Sequence, residues 1–105
     1  MQWERSDGFD RRVVKRSGWC ALWHIDASFP SRAGVYIFAD TNLQVKYVGK
    51  AGAGRLRKEA TAARDERGKG YGAIRAVWLA TNSDANALSL ERELIDKYDP
   101  PNNDR

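Results

Sequence analysis

Two short runs of β-forming residues, joined by a three-residue turn, constrain the fold of this chain more than anything else in it. Ala33 to Ala39 reads AGVYIFA, apolar at successive positions and rich in residues that fit a pleated surface. A strand apolar on both sides is expected to be buried on both sides. Asp40-Thr41-Asn42 supplies turn chemistry, and Gln44 to Gly49 (QVKYVG) reads as the returning arm. A hairpin with a buried first strand follows.

The rest of the chain arranges itself around that hairpin. Lys50 to Gly54 is rich in Gly and Ala and predicts a tight loop. A helix follows from about Gly54 to Glu66, with Leu56, Ala60 and Ala63 at helical spacing. Gly68, Gly70 and Gly72 punctuate a second loop, after which Ile74 to Ala80 predicts a third strand. Ser83 or Asp84 suits the N-cap of a final helix running to about Tyr98, and Pro100-Pro101 stops it. The order strand, strand, helix, strand, helix predicts an α+β fold, a small three-stranded, mostly antiparallel sheet flanked by helices. Residues 1–30 show no clean period: Val13, Val14, Trp19, Ala21, Leu22 and Trp23 suit a short helix or an extra strand. At 105 residues the chain has room for one domain, with its core at about 31–103 and an N-terminal extension before it.

Several classes are excluded. A chain 42% apolar and 30% charged is globular rather than disordered. It holds no run of ~18 apolar residues, so no membrane span is expected. The opening MQWERSDGFDRR carries charges where a signal peptide would be apolar. The lone Cys20 forms no internal disulfide and fits a cytoplasmic location. With His24 the only histidine, a Cys/His zinc cluster is excluded as well.

Charge is unevenly placed. Between Gln44 and Arg75 stand nine basic residues, including Lys46, Lys50, Arg55, Arg57, Lys58, Arg64, Arg67, Lys69 and Arg75, against Glu59, Asp65 and Glu66. From Thr81 onward acidic residues outnumber basic ones. A basic middle on a small domain is the footprint expected for a phosphate backbone, and a solvated helix face gives the same composition.

The last helix carries an anomaly. On a wheel centred on Glu91, the residues Ala87, Leu88, Leu94, Ile95 and Tyr98 all fall within about 60°. The stripe that packs on the sheet therefore has a carboxylate in its middle. Such a group is costly unless paired, neutralised or bound to a cation. An ion pair to one of the many arginines and a metal site both meet that need. Glu93 and Lys97 point elsewhere and are expected to pair with each other at i,i+4.

The hairpin carries a second signal. Tyr36 and Tyr47 are phenols on adjacent strands, flanked by Gly34 and Gly49. Glycine weakens a strand unless a backbone or ligand approaches closely there. Lys50 follows at the strand end, before the Gly-rich loop, a setting that favours a phosphate site over core packing alone.

Together these residues resemble the GIY-YIG nuclease family. Gly34-Val35-Tyr36 matches the first signature triplet and Tyr47-Val48-Gly49 the second, with ten residues between the two tyrosines. Tyr47-Val48-Gly49-Lys50-Ala51 is especially similar to the excision-repair branch. The resemblance covers roughly residues 31–103. It assigns the helix arginine to Arg55, by its apolar neighbour Leu56, or to Arg57, by counting ten residues from Tyr47. It assigns the acidic ligand to Glu91 and the closing asparagine, in Pro100-Pro101-Asn102-Asn103, to Asn103. Homing-type members carry a His one turn beyond the arginine, where Glu59 or Thr61 stands here.

The resemblance implies hydrolysis of DNA phosphodiesters around one Mg²⁺, or Mn²⁺, held by Glu91. Tyr47 would be the general base, Tyr36 would position water or phosphate, and Lys50 would assist. An ordinary phenol, near pKa ~10, is a weak base at neutral pH and needs such help. Arg55 or Arg57 would stabilise charge on the phosphate through its planar fork. Lys58, Arg64, Arg67, Lys69 and Arg75 would track neighbouring phosphates. The scheme requires Glu91 to meet both phenols and the guanidinium across one shared pocket. The alternative is a catalytically inactive nucleic-acid-binding module of the same fold.

Overall fold

The computed structural model describes residues 1–103, and its centre is an antiparallel sheet built outward from the expected hairpin. Strand β3, Gly34–Ala39, and strand β4, Val45–Ala51, form that hairpin. All six residues of β3 are buried, as its unbroken apolar run requires. Strand β5, Arg75–Thr81, pairs with the other edge of β3. Its sequence RAVWLAT is buried from Ala76 onward for the same reason.

The sheet has five strands rather than the three expected. β1, Val13–Arg16, and β2, Cys20–Ala21, both pair antiparallel with β5. The order is β1-β5-β3-β4, with β2 also on β5, and every pairing is antiparallel. These strands were illegible because three of the four β1 positions are exposed. Their conformation comes from the free backbone groups on the edge of β5, not from their own pattern.

Helices cover the two faces. Helix α2, Leu56–Asp65, buries Leu56, Ala60 and Ala63 against Tyr36, Phe38, Ala76 and Trp78, with Ile25 of the short helix α1 (Ile25–Ser28) and Phe29 just after it alongside. Helix α3, Asp84–Tyr98, covers Val35, Ile37, Val48, Val77 and Leu79 on the opposite face. Ser83 caps α3 by accepting from the Asn86 N–H at 3.1 Å, and Asp99 ends it in the left-handed conformation (φ 44°) before Pro100. Helix α2 begins two residues later than expected because Gly54 turns the chain at φ 77°. Its first N–H groups donate to the carbonyls of Arg32 and Pro30, so that helix end is already satisfied.

Two details of α3 differ from expectation. Its buried stripe runs through Ala87, Leu90, Leu94 and Tyr98. That places Glu91 about 55° from the stripe's centre, on its flank. Glu93 and Lys97 do not pair with each other. Glu93 binds Arg12 at 2.6 Å, and Lys97 binds Asp7 at 2.8 Å and Glu4 at 3.4 Å. The N-terminal segment, unread at the sequence level, offered both residues closer partners. Among the described residues no helix is long and apolar enough to cross a membrane.

Candidate active site

The glycines of the two triplets are explained by what lies against them. A Cβ at Gly34 would fall well inside 3.0 Å of the Leu79 carbonyl oxygen on β5. Gly49 pairs across the hairpin with Tyr36, and a Cβ there would fall inside 3.0 Å of the Tyr36 Cζ and Oη atoms. The ring of Tyr36 therefore lies flat on the Gly49 backbone. Tyr47 stands beside it, with centroids 6.1 Å apart, and Phe38 completes the cluster at 5.4 Å from Tyr36 and 5.9 Å from Tyr47.

Tyr36 is 4% exposed, whereas Tyr47 is half-buried. Burial foremost, followed by the nearby Tyr47, Glu59 and Glu91, pushes the Tyr36 hydroxyl far above the ordinary phenol range. Tyr36 is therefore a proton donor at neutral pH. It is not a base.

Asn103 locks the second triplet from outside. Its side-chain amide bonds both backbone groups of Val48, accepting from N–H at 2.9 Å and donating to C=O at 2.8 Å. β4 is the edge of the sheet, and an edge strand presents unpaired backbone groups. The tail takes the place of a further strand there. Asn102 extends the clamp, donating its backbone N–H to the Lys46 carbonyl and its side-chain amide to the carbonyls of Lys69 and Tyr71.

Glu91 is half-buried on the other side of β4. It forms no hydrogen bond and no ion pair within 4.0 Å among the described residues. Burial lifts its carboxyl above the ordinary range, against the opposing pull of Lys50 and Arg92. Lys50 pairs across the hairpin with Val35, whose side chain packs under α3. Directly opposed residues share a face, so Lys50 belongs to the α3 side with Glu91. The two phenols belong to the α2 side. The candidate site thus wraps around the edge strand, and Glu91 reaches Tyr36 through its charge.

Two hollows border the phenols. Tyr47 lines a cleft of about 850 Å³ with Glu66, Arg67, Lys69, Tyr71 and Asn103. Tyr36 lines a neighbouring recess of about 280 Å³ with Glu59, Ala62, Glu66 and Lys69. Glu91 lines neither. The strand backbone between the faces is the physical reason: side chains two apart on β4 share a face, and Lys50 is an odd step from both Tyr47 and Gly49.

The two candidate arginines part company. Arg55 bonds Glu59 through Nε at 3.0 Å and Nη2 at 2.9 Å, and Glu59 lines the recess of Tyr36. Arg57 turns away, donating from Nε to the Phe29 carbonyl at 2.5 Å. Among the phosphate-tracking candidates, Lys69 pairs with Glu66 and sits 5.7 Å above the Tyr47 ring. Arg64 is held by Asp26 at 2.9 Å and Asp65 at 3.0 Å, tying α2 to α1. Lys58, Arg67 and Arg75 are exposed and form no ion pair within 4.0 Å among the described residues.

Two participants went unread in the sequence. Glu59 stands where the resemblance expects a His, and its i,i+4 spacing from Arg55 is the local signal for the pair. Asp84 accepts from the Ala53 N–H at 3.0 Å and holds the Gly-rich loop down on α3. A side chain at Gly52 would crowd that carboxylate at 3.2 Å. One backbone N–H of the loop is thereby engaged.

A hairpin with paired phenols, a basic helix behind it and a carboxylate on the last helix define the GIY-YIG class of domain. Residues 32–103 match the UvrC-like GIY-YIG domain family, and the chain belongs to it. It is 40% identical over 76 residues to UvrABC system protein C of Desulforudis audaxviator strain MP104C. That match covers 69% of this chain and 12% of the relative, so the chain spans only a small part of that protein's length. The N-terminal endonuclease domain of UvrC from Thermotoga maritima, bound to its catalytic magnesium, superposes with a TM-score of 0.68 at 26% identity, covering 79% of this chain and 96% of that one. A tyrosine-to-phenylalanine mutant of that domain, bound to its divalent cation, gives 0.68 at 27% identity over 80% of this chain and 96% of that one.

Proposed function

We propose that this domain is an endonuclease that hydrolyses phosphodiester bonds in DNA with the help of one divalent cation, Mg²⁺ with Mn²⁺ as a substitute. The observation that carries the proposal is Glu91, a half-buried carboxylate with no hydrogen-bonding or ion-pair partner among the described residues. Holding a charge there is costly unless a cation meets it. A single carboxylate, with water and phosphate oxygens completing the shell, suits Mg²⁺. When bound, the cation supplies positive charge against the phosphoryl oxygens.

The chain's own residues do the rest. Tyr36, held protonated, donates a hydrogen bond that positions water or phosphate. Tyr47, more accessible and beside Lys69, takes the proton of the attacking water as its phenolate. Lys50 offsets negative charge between Glu91 and the substrate. Arg55, presented by Glu59 at the recess of Tyr36, exchanges that partner for the scissile phosphate. Asn103 is a positioning residue, because it holds the backbone between Tyr47 and Gly49. Arg67 and Lys69 border the cleft beside Tyr47 and meet neighbouring phosphates there. Lys58 is exposed on α2, and Arg75 lines a separate cavity with Trp19, Cys20 and Trp23. Arg64, already bound by two carboxylates, serves the fold more than the substrate.

Supercoiled plasmid incubated with the chain and Mg²⁺ or Mn²⁺ tests this. Nicked or linear product with cation, and none with EDTA, is expected. Binding that leaves the plasmid supercoiled would instead make the domain an inactive nucleic-acid-binding module.

A further inference from the structure

The N-terminal segment, outside the residues that match the family, builds a second concave site. A cavity of about 590 Å³ is lined by Trp3, Trp19, Phe9, Arg5, Arg16 and Leu79, with others. Its aromatic wall is fixed in place. The Trp3 ring stacks on Tyr98 at 5.3 Å, Trp19 meets the Trp3 ring edge-on at 6.2 Å, and the Trp3 backbone N–H donates to the Leu43 carbonyl at 2.8 Å. Both indoles are nevertheless only partly buried, and Phe9 is 56% exposed.

The rim is cationic. The Arg16 guanidinium lies 4.2 Å over the Phe9 ring and is anchored to the Gly8 carbonyl at 2.5 Å, while that of Arg5 lies 5.8 Å from the same ring. The acidic side chains of the segment are engaged elsewhere, Glu4 and Asp7 with Lys97 and Asp10 with Arg12. Arg5, Lys15 and Arg16 form no ion pair within 4.0 Å among the described residues. Exposed rings beside unmatched guanidinium groups suit a ligand that is planar and apolar at one end and anionic at the other.

We infer that this pocket takes an unpaired base of a single-stranded stretch of DNA, stacked on its aromatic wall, while Arg5 and Arg16 meet the adjoining phosphates. A base within a duplex is already stacked and does not enter, so the pocket favours substrates with an unpaired region. The inference rests on the DNA-cleaving reading and refines its substrate. Geometry supports the link: Glu91 and Tyr98 are seven residues apart on α3, about 10 Å along its axis, and Trp3 covers Tyr98. A strand cut near Glu91 reaches the pocket within a few nucleotides.

Fluorescence anisotropy in EDTA tests it, with a labelled oligothymidylate of about 15 nucleotides and a duplex of equal length as probes. The Phe9→Ala, Arg16→Ala double variant should bind the single strand roughly tenfold more weakly than the unaltered chain, with duplex binding changed less than about twofold. Independently of any variant, the single strand should quench tryptophan emission more than the duplex does. Equal losses on both probes, or an unchanged affinity for the single strand, would overturn the pocket while leaving the DNA reading intact. Failure of the unaltered chain to bind either probe would overturn the DNA reading itself.

Discussion

The ring of Tyr36 rests on the backbone of Gly49, so the tyrosine of the first triplet dictates the glycine of the second. The two triplets are one packing unit, and the phenol is placed by the absence of a side chain opposite it. Gly49→Ala should therefore destabilise the domain by about 1–3 kcal/mol through overpacking. Urea denaturation measures this. Adding Tyr36→Ala should recover part of the loss, giving a non-additive cycle. Simple additivity would mean that the two residues do not meet.

The arginines should separate cleanly in kinetics. Arg55→Ala should lower the cleavage rate by about 10²-fold or more, the scale expected for removing a charge stabiliser. Arg57→Ala should reduce stability with a much smaller effect on rate, because its guanidinium serves the Phe29 carbonyl. Single-turnover plasmid cleavage, read beside thermal melting, distinguishes them.

Asn103→Ala should free both backbone groups of Val48 on the edge strand. A loss of about 1–2 kcal/mol is expected, with faster amide exchange at Val48. Asn103→Asp keeps the acceptor and loses the donor, so it should retain part of the protection. Exchange at Val48 unaltered by Asn103→Ala would remove the clamp from the account.

The N-terminal segment confers a pH dependence through Arg12, which joins Asp10 at 2.8 Å to Glu93 on α3 at 2.6 Å. The Asp10 carboxyl, hydrogen-bonded by the Arg12 guanidinium, is lowered from 3.8 to about 2. A depressed acid contributes stability above its unfolded value and loses it as pH falls through the folded one. The loss should run from about pH 4 to about pH 2 and amount to at most about 2 kcal/mol. Asp10→Asn should flatten that part of the profile in urea midpoints taken between those pH values.

Much of this was legible in the residues themselves. The unbroken apolar run of β3, the Leu56, Ala60 and Ala63 spacing and the Ser83 cap each follow from local chemistry, and the elements fell within a few residues of expectation. Glu91 was legible as a charge without an evident partner. What local pattern did not carry was set by distant chain. β1 and β2 exist because β5 has an edge to fill, and Lys97 found Asp7 and Glu4 because the N-terminal segment folds back over α3. The separation of Glu91 from the Tyr47 cleft is local in origin: strand alternation sends Tyr47 and Lys50, which lies on the Glu91 side, to opposite faces.

The most direct test of the central claim is Glu91→Gln, which keeps the shape of the side chain and removes its charge. Cation-free, the variant should melt at or above the temperature of the unaltered chain, because a desolvated carboxylate has been neutralised. Mg²⁺ or Mn²⁺ should raise the melting temperature of the unaltered chain and leave that of the variant unmoved. Plasmid cleavage should vanish in the variant while duplex binding persists. Cation-dependent cutting by Glu91→Gln at the original rate would contradict the account.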